Sequence, residues 1–143
     1  MVSGINHVTI SVQDLERSLN FYTNVLSLRP LARWHKGAYL LAGEAWLCLA
    51  LDSQRGGVVS MEYTHMALSV PQESFAATVE RLTSYGSPTW QSNRSPGDSF
   101  YFLDPDNHKL EIHVSSWRER LKHLVADPPE GFRLLWGADT PAL

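Results

Sequence analysis

Cysteine is almost absent from this chain. Cys48 is the single one in 143 residues, so no disulfide can form within it, and a reducing compartment suits it. Charge of either sign is also modest. Twelve basic side chains stand against fifteen acidic ones, a net charge of −3. That is too near neutral to direct the protein to nucleic acid or to an anionic membrane. Long hydrophobic runs are missing too. The longest, Ala45–Leu51, falls far short of the roughly 20 residues that span a bilayer. The opening residues MVSGINH lack a basic stretch followed by an apolar core, so no signal peptide is expected and a cytoplasmic location is. At this length the chain reads as a single domain covering residues 1–143.

What is present is a repeat. Asn6–Val12 alternates apolar and polar residues and is rich in β-branched ones, which predicts a strand. Asp14 then caps a helix whose Leu15, Leu19, Tyr22 and Leu26 recur at helical spacing and which stops before Pro30. Pro30–Trp34, Ala38–Ala42 and Ala45–Leu51 follow as short strands. The order recurs after a Gly-containing linker, Asp52–Met61. Tyr63–Val70 (YTHMALSV) matches the first strand in form, and Pro71–Ser84 is a second helix ended by Tyr85-Gly86. Strands at Thr89–Gln91, Ser99–Leu103 and Lys109–Val114 complete it. The spacing therefore predicts α+β with two βαβββ modules, about residues 5–51 and 63–115, then a helix near Trp117–Val125 and a tail. Each module is too small to bury a good core alone, so the two should share one.

The chemistry gathers around the last strand. In KLEIHV, Leu110, Ile112 and Val114 point one way and Lys109, Glu111 and His113 the other. A carboxylate between apolar neighbours is costly to bury without a partner, and a metal ion is one such partner. His7 and His65 occupy matching places in the two modules, 58 residues apart, and are the candidate further ligands. Either histidine alone suits packing as well as ligation. Two imidazoles and one carboxylate would leave coordination positions open for a substrate. Cys48 is the first module's counterpart of Glu111, and His113 is a supporting partner or an alternative ligand. His35, His108 and His123 read as solvated. The polar loop from Asn93 to Ser99 suits a cation through its oxygens, an anion through its N–H groups, or simply a hairpin.

These segments resemble the vicinal oxygen chelate superfamily, whose members pair two βαβββ modules in a curved sheet around a divalent metal. Within it the chain is similar to the fosfomycin-resistance glutathione transferases of the FosA type. The resemblance is carried by NHVTISVQDL (Asn6–Leu15), ARW (Ala32–Trp34), GAYL (Gly37–Leu40), WLCL (Trp46–Leu49), YTH (Tyr63–His65) and NRSPGDSFYFLDPDNHKLEIHV (Asn93–Val114). It implies His7, His65 and Glu111 as ligands of Mn²⁺, which acts as a Lewis acid on the epoxide of fosfomycin while the glutathione thiol attacks. It implies Thr9, Trp46, Ser95, Tyr101 and Arg120 at the phosphonate, Tyr39 as an aid to thiolate formation, and Tyr63 as another aromatic of the pocket. Asn93, Ser95, Gly97 and Ser99 match a K⁺-binding loop. The resemblance also implies a swapped homodimer in which His7 of one protomer meets His65 and Glu111 of the other.

The chain departs from the pattern at several places. Gln91 stands where the family usually has a lysine on the phosphonate, which predicts weaker anion binding by about 1–3 kcal/mol. Pro96 replaces a glutamate of the K⁺ loop, Asn107 a turn glycine, and Met66 an aromatic. Other readings are a relative using water or another thiol, another small phosphonate or epoxide substrate, or a non-catalytic phosphonate binder. Hydrating relatives carry a glutamate base where this chain has Lys36-Gly37-Ala38, which disfavours hydration.

Overall fold

A computed structural model describes residues 1–94 and 96–135. The chain folds as β1 (His7–Val12), α1 (Leu15–Asn20), β2 (Arg29–Trp34), β3 (Gly37–Ala42), β4 (Ala45–Leu51), β5 (Met66–Ser69), α2 (Gln72–Tyr85), β6 (Thr89–Gln91), β7 (Ser99–Leu103), β8 (Lys109–His113) and α3 (Trp117–Ala126). Each half builds one mixed four-stranded sheet. The first has the order β1-β4-β3-β2 and the second β5-β8-β7-β6, the first-named strand pair of each being parallel. The βαβββ order expected from the repeat is thus formed twice.

The helices follow from local chemistry. The Asp14 side chain accepts the Arg17 N–H at 3.0 Å and opens α1. The helix then widens into a π-helical stretch, Phe21–Val25, closed by Leu26 N–H to the Phe21 carbonyl. Its buried stripe is Leu15, Ser18, Tyr22 and Val25, with Leu19 and Leu26 half-buried at the margin. Gly86 ends α2 in the left-handed region at φ +85°. Each sheet turns an apolar face toward these helices. Val12, Ala38, Leu40, Leu47 and Leu49 of the first sheet and Phe102, Leu110 and Ile112 of the second belong to one buried cluster with Phe21, Tyr22 and Leu82. The opposite faces are free to carry chemistry.

Between the halves lies a knot of buried carboxylates. Asp106 takes the Gln13 N–H at 2.9 Å and the Arg17 guanidinium at 3.0 Å on Oδ1, and the Ser18 hydroxyl at 2.8 Å on Oδ2. Asp104 Oδ2 accepts the Tyr22 hydroxyl at 2.7 Å, while its Oδ1 accepts the N–H groups of Asp106 and His108. His108 reads as a solvated turn residue in the sequence, but here it donates Nε2–H to the Ser11 carbonyl at 2.7 Å. Its role lies in the joint, because the turn it occupies is pressed against β1. Arg55 of the linker reaches the Ser11 hydroxyl and the Asp106 carbonyl. No helix among the described residues is long and apolar enough to cross a membrane.

Burial raises the Asp104 carboxyl from its ordinary value and holds the Tyr22 phenol well above its own. The folded state therefore binds a proton at Asp104 more readily than the unfolded chain. Its contribution to stability falls as pH rises through that interval, and the Tyr22 hydroxyl bond offsets the charged form. Tyr22→Phe should cost about 1–3 kcal/mol near neutral pH, and less in mild acid where Asp104 is protonated. Urea titrations at the two pH values measure the difference.

Candidate active site

The polar face of the second sheet carries Glu111 at its centre. Glu111 pairs with Ala67 of β5 and Tyr101 of β7, and it is 7% exposed. His65 lies one residue before β5 rather than within a strand, because its Nδ1–H turns back to the Tyr63 carbonyl at 2.9 Å. A carbonyl only accepts, so Nδ1 holds the proton, and in the neutral ring Nε2 presents its lone pair. That lone pair lies 3.1 Å from Glu111 Oε2. Two acceptors this close repel unless a cation or a proton sits on them. The spacing matches the edge of a six-coordinate ion with bonds of about 2.1 Å. The donor set, imidazole nitrogen with carboxylate oxygen, suits a divalent transition metal.

The carboxylate's other oxygen is engaged behind it. Ser99 Oγ lies 2.6 Å from Glu111 Oε1 and 2.5 Å from His113 Nδ1. His113 is thus a supporting partner of the carboxylate rather than a neighbour of the His65 Nε2–Glu111 Oε2 edge. In front, a cavity of about 300 Å³ is lined by Tyr63, His65, Tyr101, Glu111, His113, Trp117 and Arg120, with Ser115 and Ser116 at the start of α3. The Ser116 hydroxyl and the Glu119 carboxylate form a capping box there, and the Ser116 N–H holds the Glu119 carboxyl below its usual value. This fixes the start of α3, from which Arg120 reaches the Pro96 carbonyl at 3.5 Å. Gly97 takes φ +84°, and a Cβ there would come within 3.2 Å of Ser115. Asn93 donates to the Gly97 carbonyl at 2.9 Å and closes the same loop. Ser95 lies outside the described residues. Gln91 Nε2 donates to the Tyr63 hydroxyl at 3.2 Å.

His7, Thr9, Tyr39 and Trp46 stand elsewhere, on the first sheet. β1 pairs with β4 so that Thr9 faces Cys48, and β3 places Tyr39 beside Cys48 as well. Cys48 therefore belongs with His7 and not beside Glu111. The three candidate ligands do not come together within one chain, because each module closes its own sheet. Among the described residues no three His, Cys, Asp or Glu side chains are grouped to hold a metal. His7 nonetheless mirrors His65: Nδ1 is bonded to Asn6 Oδ1 at 2.8 Å, which leaves Nε2 with a free lone pair. Its ring packs on Trp46 at 4.7 Å. Tyr39 is held edge-on between Trp34 at 4.7 Å and Trp46 at 4.9 Å. The Trp46 indole N–H is buried with no acceptor among the described residues.

Residues 4–112 match the model of the Glyoxalase/Bleomycin resistance protein/Dioxygenase superfamily. The chain belongs to this superfamily. It is 46% identical over 133 residues to glutathione transferase FosA of Serratia marcescens, across 92% of this chain and 94% of that one. It is 36% identical over 136 residues to metallothiol transferase FosB of Shouchella clausii, across 91% and 92% of the two chains. Among solved structures, a variant of the fosfomycin resistance protein FosX from Listeria monocytogenes, complexed with Mn(II) and 1S,2S-dihydroxypropylphosphonic acid, superposes with a TM-score of 0.74. It is 25% identical and covers 85% of this chain and 99% of its own.

Sequence reasoning did not find the bond between Ser99 and Glu111, or the one between Gln91 and Tyr63. The first was in reach, since Ser99 and His113 are direct partners across β7 and β8. In the sequence Gly37 reads as part of the GAYL motif and of Lys36-Gly37-Ala38, with no packing role evident. A Cβ there would lie 2.6 Å from Trp34 Cζ2 and 2.8 Å from the Leu49 carbonyl. Gly37→Ala should therefore dislodge Trp34 from Tyr39. The melting temperature should fall by several degrees, as expected for about 1–3 kcal/mol of overpacking, and the near-ultraviolet aromatic dichroism should change with it.

Proposed function

We propose that this protein is a metal-dependent transferase that inactivates fosfomycin by adding the glutathione thiol to its epoxide. The observation that carries the reading is the His65–Glu111 edge, an imidazole nitrogen and a carboxylate oxygen 3.1 Å apart at the wall of a cavity that also holds Arg120. The 46% identity to a glutathione transferase over nearly the whole chain supports the same chemistry. His7, His65 and Glu111 would hold a divalent ion, Mn²⁺ by preference, and that ion would supply Lewis-acid activation of the epoxide oxygen. Arg120 binds the phosphonate through its forked N–H groups, with Tyr63, Tyr101 and Ser95 donating hydroxyl hydrogens. Thr9 and Trp46 donate from the first sheet. Tyr39, fixed between two tryptophans, donates its hydroxyl to the sulfur and favours the thiolate. A carbon–sulfur bond forms, the carbon–oxygen bond of the ring breaks, and the thiol proton ends on the former epoxide oxygen.

His7 and Thr9 are exposed on one sheet, while Glu111 lies on the other with His65 just before its β5. We therefore propose a swapped homodimer in which His7, Thr9, Tyr39 and Trp46 of one protomer join the second sheet of its partner. The Asn93–Ser99 loop is proposed to take K⁺ through its carbonyls, with Asn93, Ser95, Gly97 and Ser99 as its frame. Cys48, the lone cysteine, and the need for glutathione both agree with a cytoplasmic location.

Phosphorus NMR of protein with fosfomycin, glutathione and Mn²⁺ tests the reading. A new phosphonate signal that requires both the thiol and the metal is expected. Conversion without thiol would identify a hydrolase, and no conversion with metal bound would overturn the assignment. Among the described residues that line the cavity, Arg120 is the one lysine or arginine. Gln91→Lys should lower KM for the phosphonate about tenfold with little change in kcat, as read from initial rates.

A further inference from the structure

We infer that Ser99 is a positioning residue that keeps Glu111 a one-oxygen ligand. The inference rests on the reading above that His65 and Glu111 share a divalent ion. Ser99 and His113 face each other across β7 and β8, with Glu111 two residues before His113 on the same face. The serine oxygen lies 2.6 Å from Glu111 Oε1 and 2.5 Å from His113 Nδ1. A serine hydroxyl has one proton, and an ionised carboxylate can only accept. The proton of Ser99 therefore goes to Glu111, and His113 Nδ1–H donates to the serine oxygen. The result is a directed chain from imidazole to hydroxyl to Oε1.

The serine and the carboxylate of this chain are largely buried, and His113 is half-buried where it lines the cavity. Ser99 is 8% exposed and Glu111 7%. For Glu111 to grip an ion with both oxygens, Oε1 would have to leave Ser99. The Ser99 hydroxyl, largely buried, would then lose its acceptor, an arrangement that folded proteins avoid. Oε2 alone stays free, on the edge it shares with His65 Nε2. A one-oxygen carboxylate leaves one more position on the ion for substrate oxygens than a two-oxygen one does. Ser99 in this way sets how many oxygens of the phosphonate and epoxide the site can accept. Its hydroxyl is engaged at the carboxylate, so any part Ser99 plays in a cation-binding loop falls to its carbonyl.

The test counts the water ligands on Mn²⁺ bound to the full-length protein, by water-proton relaxation without substrate. Ser99→Ala should lose about one water ligand as Glu111 closes onto the ion, and KM for the phosphonate should rise about tenfold. Ser99→Thr, which keeps the hydroxyl, should restore both. His113→Leu, which frees the serine to rotate, should also lower the water count and provides the reading if Ser99→Ala does not fold. An unchanged water count in Ser99→Ala, with Mn²⁺ still bound, would overturn the positioning role alone. Failure of the unmodified protein to bind Mn²⁺ would overturn the metal reading and this inference together.

Discussion

Two carboxylates buried at the joint between the halves set the frame for everything else. Asp104 and Asp106 are each 2% exposed, yet all four of their oxygens accept hydrogen bonds. Their donors come from α1, from the segment before it, and from the turn itself. A buried carboxylate is tolerable only when it is fully satisfied, and removing any one donor leaves the desolvation cost behind. The two halves are therefore joined by geometry as well as by apolar contact. Sliding one half along the other would keep much of the greasy cluster but would strand Asp106.

The joint matters for the site because β8 begins where the turn ends. Asn107 takes φ 65° to close it, and Lys109 starts the strand that bears Glu111 two residues on. Locking Asp104–His108 against α1 and β1 thus fixes the height of Glu111 on its sheet. The alternation of β8 does the rest. Leu110 and Ile112 are drawn into the common core, so Glu111 and His113 must face the other way. Burial on one face and chemistry on the other are a single constraint.

Much of this was legible in the chain. The strand and helix order, the repeat, and the grouping of Glu111 with His65 followed from periodicity and from the cost of burying a carboxylate. The joint was not legible. Asp104-Pro105-Asp106-Asn107 reads locally as a turn, and nothing in it says that both carboxylates will be buried, since their partners lie more than 80 residues earlier at Ser18 and Tyr22. His108 reads as solvated for the same reason, its acceptor being the distant Ser11 carbonyl. The π-helical widening of α1 was also hidden, because the side chains at Phe21–Val25 suit an ordinary turn equally well. The position of His65 just outside β5 depends on a backbone carbonyl at Tyr63, which no residue identity encodes.

The two sheets repeat one register with different side chains. Thr9, Cys48 and Tyr39 lie side by side in the first, and Ala67, Glu111 and Tyr101 in the second. A chamber walled by one sheet of each kind would have a backbone close to two-fold symmetry and a lining with none. A ligand turned half-way round would find a thiol where it had met a carboxylate, and a hydroxyl where it had met a methyl. Such a chamber tells the two ends of a small molecule apart, and it would hold an unsymmetrical ligand one way round without any wall being shaped for that purpose.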